Sequence, residues 1–298
     1  MTYHLVPLPD GRRLEVLDEG SGDRAFAFFW GTPGAAVPDP DFAELAARHR
    51  LRVLQPNRPG YGQSDPHPGR RVVDLVADMD AALQHLGISE LVVMGGSGGG
   101  PHALAMAARL PQCRAAAALV SPAPRDADGL DYYDGMAVSN QEEWLLADAG
   151  EAVVRPFLEQ ATTAMLDPSS GSMYENDGQY ADCVCPQDLA ALRAAEPELR
   201  SARFAKAAER GIEGWLEDDL ALTTPWGFSL DEIDKPVSFW AGREDLFVSY
   251  RHTLWMGQRV RSADIHVLAD EGHLSVKQHH LDRMVQDLLD KAGWVEHR

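Results

Sequence analysis

The feature that most constrains this chain is a serine that stands between glycines at the end of an apolar run. Residues 91–94, Leu-Val-Val-Met, are typical of a buried strand, and residues 103–110 are typical of a helix. Residues 95–99, Gly-Gly-Ser-Gly-Gly, fit the pattern G-x-S-x-G, a sharp turn from strand to helix that is called a nucleophile elbow. The glycines are needed because neighbouring backbone passes too close for a Cβ atom. The sequence therefore predicts that Ser97 is presented at the edge of a sheet and at the start of a helix, where an oxyanion can be stabilised.

A glycine-rich run after a strand can also bind phosphate, so the motif alone leaves an alternative open. A dinucleotide site requires G-x-G-x-x-G, and Gly95, Gly98 and Gly100 approach that spacing only when forced. A P-loop requires Gly-Lys followed by Ser or Thr, which this stretch lacks. The nucleophile interpretation is favoured, and the rest of the chain tests it.

Composition disfavours several classes of partner. The chain has 298 residues, 45% of them apolar, and a formal net charge of −19. The length suits one large domain or one domain with an insertion. The negative charge argues against nucleic acid and anionic membranes as partners, since phosphate binding requires clustered lysine and arginine. We expect a small-molecule substrate and a monomer or homodimer.

The cysteines and the start of the chain indicate a cytoplasmic protein. Cys113, Cys183 and Cys185 form no even disulfide framework, so we expect reduced thiols. The first residues lack the basic segment and apolar run of a signal peptide, and no stretch has the apolar length of a membrane span.

Apolar runs and helical patterns alternate along most of the chain, as in a parallel α/β sheet. This alternation stops in the middle of the chain, where residues 125–234 show helical patterns and no convincing buried strand. We therefore predict a core of residues 1–124 and 235–298, with an α-helical cap of residues 125–234 inserted after the sixth strand. The predicted strands are residues 5–8, 14–17, 25–30, 51–55, 91–94, 115–120, 236–241 and 264–268.

A serine hydroxyl is a poor nucleophile and needs a base, which in turn needs an orienting acid. In a fold with this elbow the chain order is Ser, then Asp or Glu, then His, each on a loop after a strand. Asp245 follows the strand at residues 236–241 and is the favoured acid, although its neighbour Glu244 competes. Asp126, after an earlier strand, is a weaker alternative.

The favoured base is His273. The chain has eleven histidines, so a lone histidine carries little weight. His273, however, lies between the last predicted strand and the last predicted helix, and it completes the order Ser97, Asp245, His273. The alternative is that His273 merely caps that helix.

An oxyanion hole needs two donors. The backbone N–H of Gly98, next after the serine, is one of them. The other is expected from the early strand-to-helix loop at residues 31–34, and we assign the N–H of Thr32, because Pro33 has none. An ordinary Pro-Gly turn is the alternative for this loop.

These motifs together resemble the α/β-hydrolase superfamily over nearly the whole chain. Residues 95–99 match its elbow, and residues 57–65, Asn-Arg-Pro-Gly-Tyr-Gly-Gln-Ser-Asp, are similar to its R-P-G-x-G-x-S segment. Gly242 with Asp245 resembles its acid loop, and residues 272–273, Gly-His, resemble its histidine loop. The Ser-Gly-Gly-Gly-Pro run is similar to esterases and proline iminopeptidases with helical caps.

The resemblance implies acyl transfer through an acyl-enzyme, without metal or organic cofactor. Ser97 would attack a carbonyl carbon, His273 would accept the serine proton, and Asp245 would orient His273. The amides of Gly98 and Thr32 would hold the oxyanion. The leading hypothesis is hydrolysis of a small or medium apolar ester, thioester or lactone. The alternatives are a proline iminopeptidase-like aminopeptidase, a C–C hydrolase, lyase or cyclase, and a ligand-binding receptor.

The residues expected to line the substrate pocket are aromatic residues of the cap and the start of the oxyanion loop, although a helical cap also needs aromatic residues for its own core. Relatives usually carry His-Gly where this chain has Trp-Gly. Glu142 and Glu143 could bind a substrate amine, but exposed carboxylates at a helix start are favoured. The predicted pocket residues are Trp30, Gly31, Trp144, Phe157, Trp215, Trp226 and Phe228.

Overall fold

An eight-stranded sheet forms the centre of the computed structural model, which describes residues 1–22, 24–167, 172–176 and 178–294. The strand order is β1-β2-β4-β3-β5-β6-β7-β8. Pairing is antiparallel between β1 and β2 and between β2 and β4, and parallel between all other neighbours. The strands are β1 Thr2–Pro7, β2 Arg13–Gly20, β3 Ala25–Phe29, β4 Arg52–Asn57, β5 Leu91–Gly96, β6 Cys113–Leu119, β7 Val237–Gly242 and β8 Ala263–Leu268.

Helices cover both faces of the sheet. The helices outside the middle of the chain are α1 Pro40–His49, α2 Leu75–Leu86, α3 Gly100–Arg109, α9 Tyr250–Gly257 and α10 Ser275–Lys291. Helices α2, α3 and α9 contribute to the core on one face, and α1 and α10 contribute to the core on the other. Side chains of β5 alternate between the two cores, with Val93 in the first and Val92 and Met94 in the second. A strand buried on both faces explains the continuous apolar run in the sequence.

In the described part of the chain between β6 and β7 there are five α-helices. They are α4 Val138–Asp148, α5 Glu151–Leu166, α6 Pro186–Ala194, α7 Pro197–Ala207 and α8 Glu213–Thr223. Helices α4, α5 and α8 share a hydrophobic cluster that includes Val154, Leu158 and Trp215. In the described part of residues 125–234 no strand occurs. The division of the chain into a core and a cap stays a prediction.

The parallel strands point their carboxyl ends toward one edge of the sheet. Their registers pair Phe29 with Gly95 and Leu119 with Trp240, so these strands end at similar heights. The loops that follow β3, β5, β7 and β8 therefore meet at this edge, and they carry the residues singled out in the sequence. The predicted α/β-hydrolase fold, a mostly parallel sheet flanked by helices, is confirmed.

Two further expectations concern the helices and the cysteines. Among the described residues no helix is both long and apolar enough to cross a bilayer. Cys113, Cys183 and Cys185 are all buried and unpaired.

Candidate active site

Ser97 lies at the turn between β5 and α3 in a backbone conformation that residues other than glycine rarely adopt. Its φ is 52°. A Cβ atom added at Gly99 would lie 2.2 Å from the carbonyl oxygen of Phe29, and one at Gly95 would lie 2.1 Å from the carbonyl oxygen of Gly99. Only glycine fits where the turn passes so close to β3 and to itself. The elbow is thus as strained and as tightly packed as its sequence predicts.

His273 and Asp245 form a buried pair at the ends of β8 and β7. The His273 Nδ1 atom lies 2.8 Å from Asp245 Oδ2. The other carboxylate oxygen of Asp245 accepts hydrogen bonds from the backbone N–H groups of Phe247 and Val248, each at 2.8 Å. These bonds fix the carboxylate and direct one oxygen at the imidazole.

The two alternative acids lie elsewhere. Glu244 and Asp126 are both exposed, whereas the side chain of Asp245 is fully buried against His273. Of the three candidates, the structure brings only Asp245 to the imidazole.

The Asp245 carboxylate raises the pKa of His273 above its ordinary value of 6.5. Burial is the largest single influence and works in the opposite direction, because it disfavours the charged imidazolium. The charge and hydrogen bond of Asp245, with a smaller contribution from Asp188, outweigh it. The pair therefore makes the imidazole a stronger base than a buried histidine without a partner.

Asp188, on α6, holds the backbone of the histidine loop. Its carboxylate accepts hydrogen bonds from the N–H groups of His273, Leu274 and Ser275 at 2.9, 2.8 and 3.0 Å. These are orphan donors at the start of α10, which a carboxylate satisfies with a favourable helix dipole. A helix from the middle of the chain thus fixes the position of His273.

Another buried carboxylate from the middle of the chain, Asp218 on α8, holds the loop that carries Thr32. The Thr32 hydroxyl donates to Asp218 Oδ2 at 2.8 Å. Arg58 donates from Nε to both Asp218 oxygens at 3.0 Å and from its other nitrogens to the carbonyl groups of Trp30 and Gly31. The side chains of Arg58 and Asp218 are almost completely buried. The loop is therefore held in place by the Thr32 side chain and by two backbone carbonyl groups.

The same carboxylate reaches the elbow through two further residues. Arg70 donates to Asp218, and its Nη1 lies 3.3 Å from His102 Nε2. His102 Nδ1 lies 3.0 Å from the carbonyl oxygen of Gly98. Burial, followed by the charge of Arg58, lowers the pKa of His102 to about 3. The neutral ring thus donates from Nδ1 to Gly98 and accepts from Arg70 at Nε2.

The arginines decide the charge state of Asp218. Burial alone would raise the pKa of this carboxyl group, but the positive charges of Arg58 and Arg70 and the hydrogen bonds from Arg58 hold it well below its usual range. Asp218 is therefore ionised, and it connects both predicted oxyanion residues, Thr32 directly and Gly98 through Arg70 and His102.

A cavity of about 310 Å³ opens above Ser97. Ser97, His273 and both predicted oxyanion residues line it. Aromatic side chains supply much of the remaining wall, as is usual for small-molecule sites. The predicted pocket residues that line the cavity are Trp30, Gly31, Trp144 and Trp215, and lining residues that the sequence did not indicate include Met173, Tyr174, Tyr180, Leu222 and Phe247.

Three predicted pocket residues lie elsewhere. Trp226 is 3% exposed in the main core, and Phe228 stacks on it with ring centroids 5.8 Å apart. Phe157 packs against the cluster shared by α4, α5 and α8. These three side chains pack helices against each other and against the sheet and are not part of the lining of this cavity, so their contact with substrate stays a prediction.

A pair of carboxyl groups also faces the cavity. Glu143 accepts hydrogen bonds from Trp215 Nε1 at 2.8 Å and from the Tyr180 hydroxyl at 2.6 Å. Asp219 is 5% exposed and within hydrogen-bonding reach of Glu143. Burial, followed by the charge of Glu143, raises the pKa of Asp219 well above its usual range. Glu142 is exposed as expected, but the favoured expectation for Glu143 is wrong, because it points inward.

The sequence held one signal for these carboxylates. Residues 217–219, Glu-Asp-Asp, are consecutive in a helix whose other residues are mostly apolar, and all three are buried. Consecutive residues point in different directions around a helix, so three adjacent carboxylates cannot all share one solvent face. The guanidinium of Arg58 requires a counterion because it is buried, but its burial is seen only in the structure.

Comparisons with known proteins agree with the fold. Residues 26–279 match the family described as the alpha/beta hydrolase fold. A proline iminopeptidase of Neisseria meningitidis serogroup A is 23% identical over 289 residues, which cover 88% of this chain and 87% of that protein. An esterase from Thermogutta terrifontis superposes with a TM-score of 0.68 at 17% identity, covering 98% of this chain and 99% of the other. An esterase from Exiguobacterium antarcticum gives 0.68 at 16% identity, covering 98% and 100%. At these identities the structural likeness shows the fold alone.

The raised pKa of His273 can be measured directly. We expect its imidazole to titrate above 6.5, and that of His102 near 3, in a histidine NMR titration. Replacing Asp245→Asn removes the charge that opposes burial, so the His273 pKa should fall below 6.5. A chemical step that needs the neutral imidazole would then slow as pH drops through the raised pKa. Titration of His273 at or below 6.5 in the native protein would contradict the pairing with Asp245.

Proposed function

The chain belongs to the alpha/beta hydrolase fold family, and from this premise we propose that it is a serine hydrolase that cleaves small or medium apolar esters, with thioesters and lactones included. One observation carries the proposal. Ser97, in its strained turn, lines the same cavity as His273, whose imidazole is held by a buried carboxylate. A nucleophile, a base and an orienting acid on three separate loops are what acyl transfer requires.

The first half of the reaction follows from these positions. Ser97 Oγ attacks the ester carbonyl carbon while His273 Nε2 takes the hydroxyl proton. Asp245 holds the proton on Nδ1 and stabilises the imidazolium. The developing oxyanion is held by the backbone N–H groups of Gly98 and Thr32. His273 then protonates the alcohol as it leaves, and the acyl group remains on Ser97.

Water completes the second half. His273 removes a proton from a water molecule, which attacks the acyl-enzyme and releases the acid. Within the described residues the Ser97 hydroxyl makes no hydrogen bond to His273. Such bonds are often long in proteins without substrate and tighten when it binds. The Ser97 side chain is partly exposed and lines the same cavity as His273.

The cavity supports a modest substrate. Its volume of about 310 Å³ lies at the lower end of ligand pockets. Trp144, Trp215, Tyr174 and Phe247 give it a mainly apolar wall. An apolar acyl or alcohol group would be buried against this wall, which is favourable because apolar surface is removed from water. The cavity volume favours esters of short or medium chain length.

A second candidate function is an aminopeptidase that removes N-terminal proline. The observation that favours it is the carboxyl pair of Glu143 and Asp219 on the cavity wall, since a substrate amine needs a carboxylate partner. The 23% identical relative named proline iminopeptidase agrees with it. The raised pKa of Asp219 favours the neutral form of this acid, which binds an amine more weakly than a carboxylate does. We therefore rank the ester hydrolase above the aminopeptidase.

The ester hydrolase proposal predicts a covalent adduct. A fluorophosphonate probe should modify Ser97 stoichiometrically, because an activated serine attacks phosphorus as it attacks a carbonyl carbon. Intact mass spectrometry and peptide mapping would locate the adduct, which Ser97→Ala should abolish. Modification should slow below the pKa of His273, where the base is protonated. A folded protein that forms no adduct would exclude the acyl-enzyme and favour a binding role or chemistry in which Ser97 is not acylated.

The two candidate functions differ in their response to an amine. Methyl cyclopentanecarboxylate and proline methyl ester have the same leaving group and nearly the same ring. We expect a larger kcat/KM for the neutral ester, because a charged amine must be desolvated in an apolar cavity. Glu143→Gln and its exposed neighbour Glu142→Gln form a matched pair of variants. A preference for the proline ester that Glu143→Gln lowers by about tenfold, and Glu142→Gln does not, would replace the ester hydrolase by the aminopeptidase.

A further inference from the structure

A group of positive side chains forms one part of the cavity wall and has no role in the proposed mechanism. The group, here called the cationic wall, consists of Arg200 and Arg203 on α7 and Lys277 on α10. Lys277 lies four residues after His273, on the first turn of α10. A cluster of cations inside a chain with a net charge of −19 is not what composition leads one to expect.

Lys277 is the member with unused binding capacity. Its Nζ atom lies 5.3 Å from the ring centroid of Trp30 and 5.5 Å from that of Phe42. Within the described ranges, its ammonium group has no hydrogen-bond or ion-pair partner. Burial lowers the pKa of Lys277, and the charge of Asp39 offsets this only in part. A half-buried ammonium with three free donors is an unsatisfied group that an anion would complete.

Arg203 adds a second cation against the same aromatic ring. Its guanidinium carbon lies 4.1 Å from the ring centroid of Trp30. One nitrogen is paired with the buried carboxylate of Asp39, but its Nε is buried and has no partner among the described residues. Arg200 donates to the carbonyl oxygen of Leu192 at 3.4 Å. The carboxylates of Asp39 and Asp41 therefore neutralise part of the charge of Arg203 and Lys277, but neither forms an ion pair with the Lys277 ammonium among the described residues.

Trp30 accounts for the geometry of the wall. The indole Nε1 donates to Gln55 at 2.9 Å, which fixes the ring plane. A fixed aromatic face attracts cations through its quadrupole, and here it contacts both Lys277 and Arg203. The tryptophan therefore gives this part of the cavity a platform for positive charge.

We propose that the cationic wall binds a carboxylate group of the substrate, so that among short esters with an otherwise apolar body the enzyme prefers those with an anionic end. The inference deepens the proposed ester hydrolysis and rests on it. Trp30 directly precedes Gly31, where an added Cβ atom would lie 3.2 Å from the Cβ of Ser97. The wall is thus within the reach of a short substrate whose ester carbonyl is at Ser97. Monoesters of short dicarboxylic acids and acyl esters of short hydroxy acids are the two classes that carry such a carboxylate.

The carboxyl groups of Glu143 and Asp219 do not contradict an anionic substrate. Glu143 is held by Trp215 and Tyr180, and Asp219 lies beside Glu143, whereas Arg203 and Lys277 of the cationic wall pack against Trp30. Burial raises the pKa of Asp219, which reduces the negative charge that an incoming carboxylate would meet.

Pairs of nearly isosteric esters test the proposal. Monomethyl succinate is compared with methyl 4-methylpentanoate, and carboxymethyl acetate with isobutyl acetate. In each pair a carboxylate replaces an isopropyl group, on the acyl side in the first pair and on the alcohol side in the second. We expect the anionic ester to have the larger kcat/KM in one pair, which identifies the side that meets the wall. A larger kcat/KM for the neutral ester in both pairs would overturn the proposal.

Variants of Lys277 test whether a preference for the anionic ester comes from the cationic wall. Lys277→Met keeps the length of the side chain and should lower the ratio of anionic to neutral kcat/KM by about tenfold or more, as expected for a charge-assisted hydrogen bond. Lys277→Arg should restore much of it. Lys235→Met is the matched control, because Lys235 pairs with Asp234 away from the cavity. An unchanged ratio in Lys277→Met would also overturn the proposal.

A binding measurement separates this proposal from the proposed reaction. In Ser97→Ala, calorimetry with monomethyl succinate and carboxymethyl acetate should detect binding that is weakened about tenfold by the added Lys277→Met change. Thermal unfolding of each variant checks that it is folded. Binding without turnover in the native protein would reject the hydrolase and keep the carboxylate site. Turnover of neutral esters without lysine-dependent binding would reject the site and keep the hydrolase.

Discussion

The arrangement of the candidate site depends on one buried carboxylate, Asp218. It is fully buried, pairs with Arg58 and Arg70, and accepts the hydroxyl of Thr32. Each charge in this group is stable in the interior only because the others are present. Removing one partner from such a group costs about 3–5 kcal/mol, which is a large part of the stability of a typical domain. The network therefore fixes the loop after β3 firmly, and through Arg70 and His102 it also contacts the elbow.

Asp188 holds the loop that carries His273 in the way that Asp218 holds the loop after β3. It accepts three backbone N–H groups at the start of α10, next to the His273–Asp245 pair. Both carboxylates belong to helices between β6 and β7, whereas the loops they hold belong to the sheet. The middle helices thus contribute to the geometry of the site as well as to the cavity wall. If these helices were replaced by those of a relative, the new helices would need carboxylates, or other acceptors, at both positions to hold the two loops.

The sequence predicted what depends on local pattern. Strands buried on both faces are continuous apolar runs, and Ser97 and Asp245 could be found because each follows such a strand. His273 could be found from its position between the last strand, which is only partly buried, and the last helix. The roles of Asp218 and Asp188 were not predicted. The run Glu-Asp-Asp at residues 217–219 marks three adjacent carboxylates as unusual, but no local pattern shows which arginine from another part of the chain lies opposite, and Asp188 has no comparable signal. Aromatic residues of the middle helices were ambiguous for a similar reason. Some line the cavity and others pack in a core, and spacing along one helix does not reveal which helix lies opposite.

The most direct test of this account is the rate at which a fluorophosphonate modifies Ser97 when Asp218 is replaced by asparagine. Asp282→Asn is the control, because Asp282 is an exposed carboxylate that also faces an arginine, Arg48. If Asp218 holds both oxyanion donors in place, the second-order rate constant should fall by about tenfold or more in folded Asp218→Asn, since loss of a single donor can cost about 10²–10³ in rate. It should remain near the native value in Asp282→Asn. A folded Asp218→Asn protein that reacts at the native rate would contradict the account.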